Sequence, residues 1–301
     1  MRHFGRVLRA FLVGAAVALV TAAGAGAAEP FGFWGGEYTT RTNERVRVFS
    51  SPSYPVDPTV NQGWADFVAS LVHGPELASV SVYLAPPAEV RALCGGNPDV
   101  RGCYERGRIV ALGEDAEVTA RSVLMHEYGH HVAASRSNAP WPALGWGTKR
   151  WSSRLQVCRH ARAKEWWPGA QGPLVYFYNP GEAFAEGYRL LNEQRLGIPL
   201  TPWRIVDPVF LPGPRALALL ERDVVRPWRG NTTVTRAGRM TKRSLTVSVA
   251  TPLDGELTAS VTGAARLGSP ELQLVCGQRV TKLRLVRTGA PGPFRLTVSR
   301  P

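Results

Sequence analysis

The stretch "SVLMHEYGHHVAASR", Ser122 to Arg136, sets two histidines four residues apart with a glutamate directly after the first. On an α-helix positions i and i+4 share a face, so His126 and His130 can aim two imidazoles at one cation. Glu127 is displaced round the helix from that pair, close enough to reach a water at the cation without being a ligand itself. Val118, Val123 and Leu124 predict an apolar face for this helix. Gly113, Glu114 and Asp115 predict a turn and a cap before it, with Glu117 in the first turn where the helix dipole favours an acid. Gly129 costs about 1 kcal/mol against alanine inside a helix. It therefore predicts close approach by another backbone or a bound molecule, which a surface helix with fortuitous histidines leaves unexplained.

Working outward, the segment before this helix alternates strand and helix. "RVRVF" (Arg45 to Phe49) has period-two apolar positions, and "WADFVASLV" (Trp64 to Val72) has helical spacing. "SVSVYLA" (Ser79 or Ser81 to Ala85) reads as a strand, "PAEVRAL" (Pro87 to Leu93) as a short helix opened by proline, and "RIVAL" (Arg108 to Leu112) as a strand. After the helix, Ser137 to Gly172 is rich in tryptophan, proline and arginine. "VCRHARAKEWW" (Val157 to Trp167) is the one helix expected there, and the tryptophans are expected to serve as core and groove wall. "NPGEAFAEGYRLLNEQRLG" (Asn179 to Gly197) predicts a helix with Asn179 as cap, Pro180 first and Gly197 as stop, and a further helix is expected over about 215–225. After Arg226 the composition shifts to short alternating runs of Thr, Val and Ser. Five of these, "SLTVSVA", "GELTASVTG", "ELQLVCG", "KLRLVRT" and "PFRLTVS", predict a small β-sandwich. The fold class is α+β, with an α+β domain over 29–229 and an all-β, sandwich-like domain over 230–301.

The ends and the composition bound the rest. Arg2, Arg6 and Arg9 lead a short apolar core, Phe11 to Val20, and small residues follow up to Ala28, which predicts a cleavable signal peptide over 1–28 and export. No later segment is apolar enough over sufficient length to span a bilayer, so stable membrane insertion is not expected. The four cysteines, Cys94, Cys103, Cys158 and Cys276, include no C-x-x-C pair, which argues for disulfides over a thiolate metal site. Cys94 and Cys103 bracket a turn-rich segment and are the natural local pair; four cysteines allow three connectivities, and Cys158 with Cys276 follows only by subtraction. The formal charge of +13 drops to about +10 without the leader arginines. Its arginines are spread along the chain without dense runs or a finger, homeodomain or RNA-recognition signature, so nucleic acid is not the expected partner. Electrostatic association with an acidic cell envelope is.

Two histidines leave a catalytic cation short of one protein ligand. The extended pattern that would supply a third histidine on the same segment is absent, because Ala133 and Arg136 stand at its glycine and histidine positions. Glu182 is the candidate third ligand. Glu186, one turn on, is placed to hydrogen-bond the far nitrogen of a ligand histidine, and is the fallback ligand. Asn179-x-x-Glu182 also has capping-box spacing, so Glu182 has an alternative local use. His131 and His160 are expected to be structural.

"HEYGHH" followed some fifty residues later by "NPGEAFAEGYRLL" resembles the zincin metallopeptidases of the glutamate-ligand branch, and E-x-F-A-E is especially similar to lethal-factor-like catalytic domains. The resemblance covers Arg108 to about Leu191 in detail. It implies a zincin-like domain with a small mixed sheet, an active-site helix and a third-ligand helix. It also implies zinc held by His126, His130 and Glu182, with Glu127 as general base in peptide hydrolysis, and an oxyanion-stabilising tyrosine for which Tyr176 and Tyr178 both stand in range. An extended peptide or protein is the expected substrate, adding to Arg108–Leu112 as the sheet edge. Two alternatives stay open: an inactive zincin-fold binding or scaffold protein of the envelope, and a zinc amidase acting on a non-peptide envelope substrate.

Overall fold

A computed structural model describes residues 32–115 and 119–301. The leader expected over 1–28, the first-turn Glu117 and Val118 lie outside the described residues. A five-stranded sheet carries the first half of the chain. Its strands are β1 (Trp34–Thr39), β2 (Arg45–Ser50), β3 (Ser81–Ala85), β4 (Gly102–Glu105) and β5 (Arg108–Leu112), in the order β1-β2-β3-β5-β4. β2, β3 and β5 run parallel, and β1 and β4 close the two edges antiparallel. Helices α1 (Pro58–Ser70) and α2 (Pro87–Leu93) make the crossovers.

Both faces of the sheet are covered. Val48, Val82, Leu84, Ile109 and Ala111 pack in the cluster that holds Ala65 and Val68 of α1, while Phe49, Tyr83 and Val110 pack with Val90 of α2. This double burial is why β3 and β5 read as unbroken apolar runs without alternation. The expectation that β5 is the sheet edge is overturned. β4 pairs along it, with Cys103 opposite Val110 and Tyr104 opposite Ile109. "GCYE" is too short and too polar to announce a strand, and Gly35 and Gly36 mask β1 in the same way. Cys94, at the end of α2, is bonded to Cys103, with Cα atoms 5.8 Å apart.

Helix α3 (Ala120–Ala134) follows β5. The Thr119 hydroxyl accepts from the Ser122 N–H, and Asp115 Oδ1 accepts from the Ala120 N–H at 2.9 Å. The expected apolar stripe is replaced by continuous burial from Leu124 to Ala133, because the sheet covers one side of α3 and another helix the other. β6 (Ser137–Asn138) and β7 (Trp141–Pro142) form a small hairpin. After it come α4 (Ala143–Trp146), α5 (Lys149–Leu155) and α6 (Val157–Arg162), so the region expected to hold one helix holds three, and α7 (Pro173–Tyr176) follows directly. α8 (Pro180–Leu196) has Asn179 as cap and ends at Gly197 with φ +63°, and α9 (Pro214–Val225) completes the helical part.

The remaining strands are β8 (Thr232–Met240), β9 (Ser244–Ala250), β10 (Gly255–Gly263), β11 (Ala265–Leu267), β12 (Leu272–Val275), β13 (Val280–Arg287) and β14 (Gly292–Arg300). They form two sheets, β12-β10-β14-β8 and β11-β13-β9. Leu257, Leu283, Leu285, Leu296 and Val298, drawn from both, share a buried core separate from that of the helical part. The two strands beyond the expected five are β8, whose "TTVTRAGRM" alternates no apolar residues, and the three-residue β11. The Cys158–Cys276 disulfide, Asp254 N–H to Ser153 Oγ (2.9 Å) and Arg279 to the Ser153 carbonyl tie this part to α5 and α6, and the described residues form one compact unit. Among the described residues no helix is long and apolar enough to cross a membrane.

Candidate metal centre

The centre is built where α3 crosses α8. A Cβ on Gly129 would lie 2.8 Å from the Ala185 Cα and 3.1 Å from its carbonyl oxygen, so the glycine permits a backbone-to-backbone approach that no other residue allows. The start of α8 is held as closely: a Cβ on Gly181 would lie 2.4 Å from the Leu144 carbonyl oxygen of α4. Asn179 Oδ1 accepts from the Gly181 N–H at 2.9 Å and from the Gly169 N–H at 3.0 Å, while its own N–H donates to the Tyr176 carbonyl. The helix end is thus capped without Glu182, and the capping-box alternative falls away.

Glu182 turns its carboxylate to the histidines instead. Its Oε2 lies 3.3 Å from His126 Nε2 and 3.2 Å from His130 Nε2, and the three donor atoms fall within 4.8 Å of one another. Donors held tetrahedrally at about 2 Å from one cation stand about 3.3 Å apart, so the carboxylate is already at ligand spacing from each imidazole. His126 Nδ1 faces Glu186 Oε2 at 3.1 Å and can donate to it, which holds the ring with Nε2 turned toward Glu182. His126, His130 and Glu182 can therefore hold a metal ion, with Glu186 behind them and not among them.

The charges agree with that reading. Burial works against an imidazolium at His126, yet its hydrogen bonds to Glu182 and Glu186 and the nearby Glu127 charge push its pKa up to about 10. Burial also opposes the Glu182 carboxylate, but the His130 charge and the histidine contacts drive its pKa well below the ordinary range. So many carboxylates in a buried cluster call for a cation at this point, whether a proton or a metal ion. Glu127, 7 % exposed, makes no hydrogen bond among the described residues, and burial raises its pKa. Its Oε1 lies against β4, 3.0 Å from where a Gly102 Cβ would stand.

Of the two tyrosines, Tyr176 reaches the centre, its hydroxyl donating to Glu182 Oε2 at 2.8 Å. Burial first, then the Glu182 charge, raises its pKa and keeps the phenol protonated. Tyr178 does not reach it: this ring packs edge-on to Trp167 at 5.9 Å. His131 lies beneath the sheet with Nε2 2.9 Å from the Glu76 carbonyl, and His160 stacks on Trp166.

Sequence reasoning missed the support behind Glu186. Arg189 donates to both Glu186 oxygens, Nε at 3.0 Å and Nη2 at 2.5 Å, and through Nη1 to Glu193 Oε2 at 2.5 Å. Glu193 in turn accepts from Ser122 Oγ (2.9 Å), Thr201 Oγ1 (2.8 Å) and the Thr201 N–H (3.1 Å). This buried chain leaves α8 and returns to the first turn of α3, so the two helices that carry the ligands are cross-linked at two levels. Against the penalty of burial, the His126 and Arg189 hydrogen bonds hold the Glu186 pKa at about 2. The i, i+3 and i, i+4 spacing of Glu186, Arg189 and Glu193 was the available signal, and it reads equally as a solvent-exposed ion-pair ladder. No protein-family model, curated protein or solved structure matches this chain.

Proposed function

We propose that the chain is an exported zinc metallopeptidase of the glutamate-ligand zincin kind, hydrolysing peptide bonds in extended protein substrates. One observation carries the reading: His126 Nε2, His130 Nε2 and Glu182 Oε2 converge at ligand spacing beside a buried Glu127 carboxylate that has no hydrogen bond among the described residues. Two imidazoles and a carboxylate suit zinc, which when bound polarises a carbonyl and acidifies water.

The chain's own residues supply the rest. Glu127, its basicity raised by burial, accepts a proton from the attacking water and passes it to the departing amine. The Tyr176 hydroxyl, kept protonated by burial beside Glu182, is an O–H donor for negative charge developing on the substrate carbonyl oxygen. Glu186 holds His126 by Nδ1 so that Nε2 faces inward. The free edge of β4, with Gly102 against Glu127, takes over the peptide-aligning role expected of β5, adding an extended substrate as a further strand. Two disulfides are in keeping with an oxidising, extracytoplasmic setting.

The test separates metal binding from proton transfer. Glu127→Gln should retain near wild-type zinc by elemental analysis yet cleave peptides at least about a hundredfold more slowly. His126→Ala should lose zinc and activity together. Wild-type cleavage by Glu127→Gln overturns the assignment and returns the chain to the scaffold alternative.

A further inference from the structure

We propose that the outward face of the three-stranded sheet β11-β13-β9 binds a linear acidic polysaccharide. The chain's positive charge is less evenly spread than a first reading of the sequence suggests. Residues 232–301 contain eleven Lys and Arg against three Asp and Glu, a net +8 out of the whole chain's +13. Within that segment, β9 ("SLTVSVA"), β11 ("ARL") and β13 ("VTKLRLVR") contain no acidic residue.

Strand alternation decides where those charges point. Thr281, Leu283 and Leu285 are buried, so Lys282 and Arg284 between them face solvent. Alternate residues on a strand repeat at about 6.6–6.8 Å, which sets the two cations in a regular row. Each has a hydroxyl directly opposite on β9, Ser248 beside Lys282 and Thr246 beside Arg284. One row further, Ser244 and Arg266 flank Val286. Lys242 and Arg243, both exposed, lie in the turn before Ser244, at the end remote from Asp254, Arg279 and Ser153, where the sandwich meets the helical part. Among the described residues, Lys242, Arg243, Arg266, Lys282 and Arg284 have no ion-pair partner.

An open, flat row of cations interleaved with hydroxyls fits a polymer that repeats anionic groups between hydroxyl groups. Binding of single-stranded nucleic acid draws on aromatic platforms for base stacking. β9, β11 and β13 contain no aromatic residue. A lipid surface would favour an apolar anchor; the outward side chains here are polar apart from Val280, Val286 and Ala250. The face makes no use of the metal centre, so it would tether the chain to an acidic matrix whatever chemistry that centre performs.

The test uses the full mature chain and a fluorescently labelled heparin oligosaccharide, with binding followed by polarisation at several salt concentrations. The triple variant Arg266→Ser, Lys282→Ser, Arg284→Ser should bind at least about tenfold more weakly, with a shallower salt dependence. A second triple variant, Arg236→Ser, Arg239→Ser, Arg295→Ser, removes the same charge from the four-stranded sheet and should bind like wild type. Equal weakening of both variants would mean that net charge and not this face is responsible. Wild-type binding by the first variant, no binding by any form, or tighter binding to a DNA oligonucleotide or to anionic vesicles at equal charge concentration would each overturn the proposal.

Discussion

Gly129→Ala is the sharpest probe of the helix crossing that makes the metal centre. The added Cβ would stand 2.8 Å from the Ala185 Cα, and ordinary contact begins at 3.4 Å, so the helices must part by about 0.6 Å at this level. The atoms nearest the intruding methyl are the Ala185 backbone and the Tyr188 Cβ of α8, none of them the free end of a flexible side chain. His126 and His130 ride on α3 and Glu182 on α8, so the separation falls on the 3.2 and 3.3 Å contacts between their donor atoms. A metal site tolerates only about 0.2 Å in ligand distance, so metal affinity should drop at least about tenfold. For stability, overpacking costs about 1–3 kcal/mol, and replacing a helical glycine by alanine returns about 1 kcal/mol. The net expectation is a loss of up to about 2 kcal/mol. Chelator competition measures the first quantity and urea unfolding of the metal-free protein the second. A variant about 1 kcal/mol more stable than wild type, with unchanged metal affinity, would refute the close-approach reasoning.

Arg189→Met leaves the buried carboxylates of Glu186 and Glu193 facing each other without their shared cation; it should cost about 3–5 kcal/mol in urea unfolding and weaken metal binding, with Arg189→Lys recovering part of both. Unchanged stability in the Met variant would show that the chain is not a support. Burial lowers the Lys149 pKa to about 8 against an ordinary 10.5, with the charges of Asp254, Asp223 and Glu256 acting in the opposite sense. Between those two values the unfolded chain holds more protons than the folded one, so stability should rise with pH from about 8 to 10.5. Lys149→Met should flatten that rise, and a wild-type urea midpoint that falls relative to the variant over this window would contradict the assignment. Cys158 and Cys276 close a loop of 118 residues, for which chain entropy predicts a stabilisation of about 4–5 kcal/mol; paired serine variants that unfold at the wild-type urea concentration would contradict that figure.

Much of the candidate site is local and therefore legible in the residues alone. Four-residue spacing fixes His126 and His130 on one face of any helix, Asn179 with Pro180 and Gly197 marks both ends of α8, and an unfavourable glycine at 129 announces a close neighbour without naming it. The helix boundaries in α2 and α8 follow from proline, cap and stop signals that act within one turn, as does the turn-bracketing pair Cys94 and Cys103.

Other features depend on which elements lie side by side, and local pattern carries no record of that. Glu182 had two uses open to it, a cap or a ligand, until the crossing of α3 and α8 set its carboxylate between two imidazoles and left the cap to Asn179. Tyr176 and Tyr178 are two residues apart, and only the turn from α7 into α8 decides that the first hydroxyl meets Glu182 while the second ring meets Trp167. β5 looked like an edge because nothing in "GCYE" signals a strand; its partner is defined by register and by a disulfide at Cys103. Glu186, Arg189 and Glu193 spell a surface ion-pair ladder, and become a buried support for His126 only because the sheet, α3 and the Thr201 segment exclude water around them. Sequence spacing determines which side chains share a face of their own element. What that face meets, and whether water remains there, is decided by long-range packing.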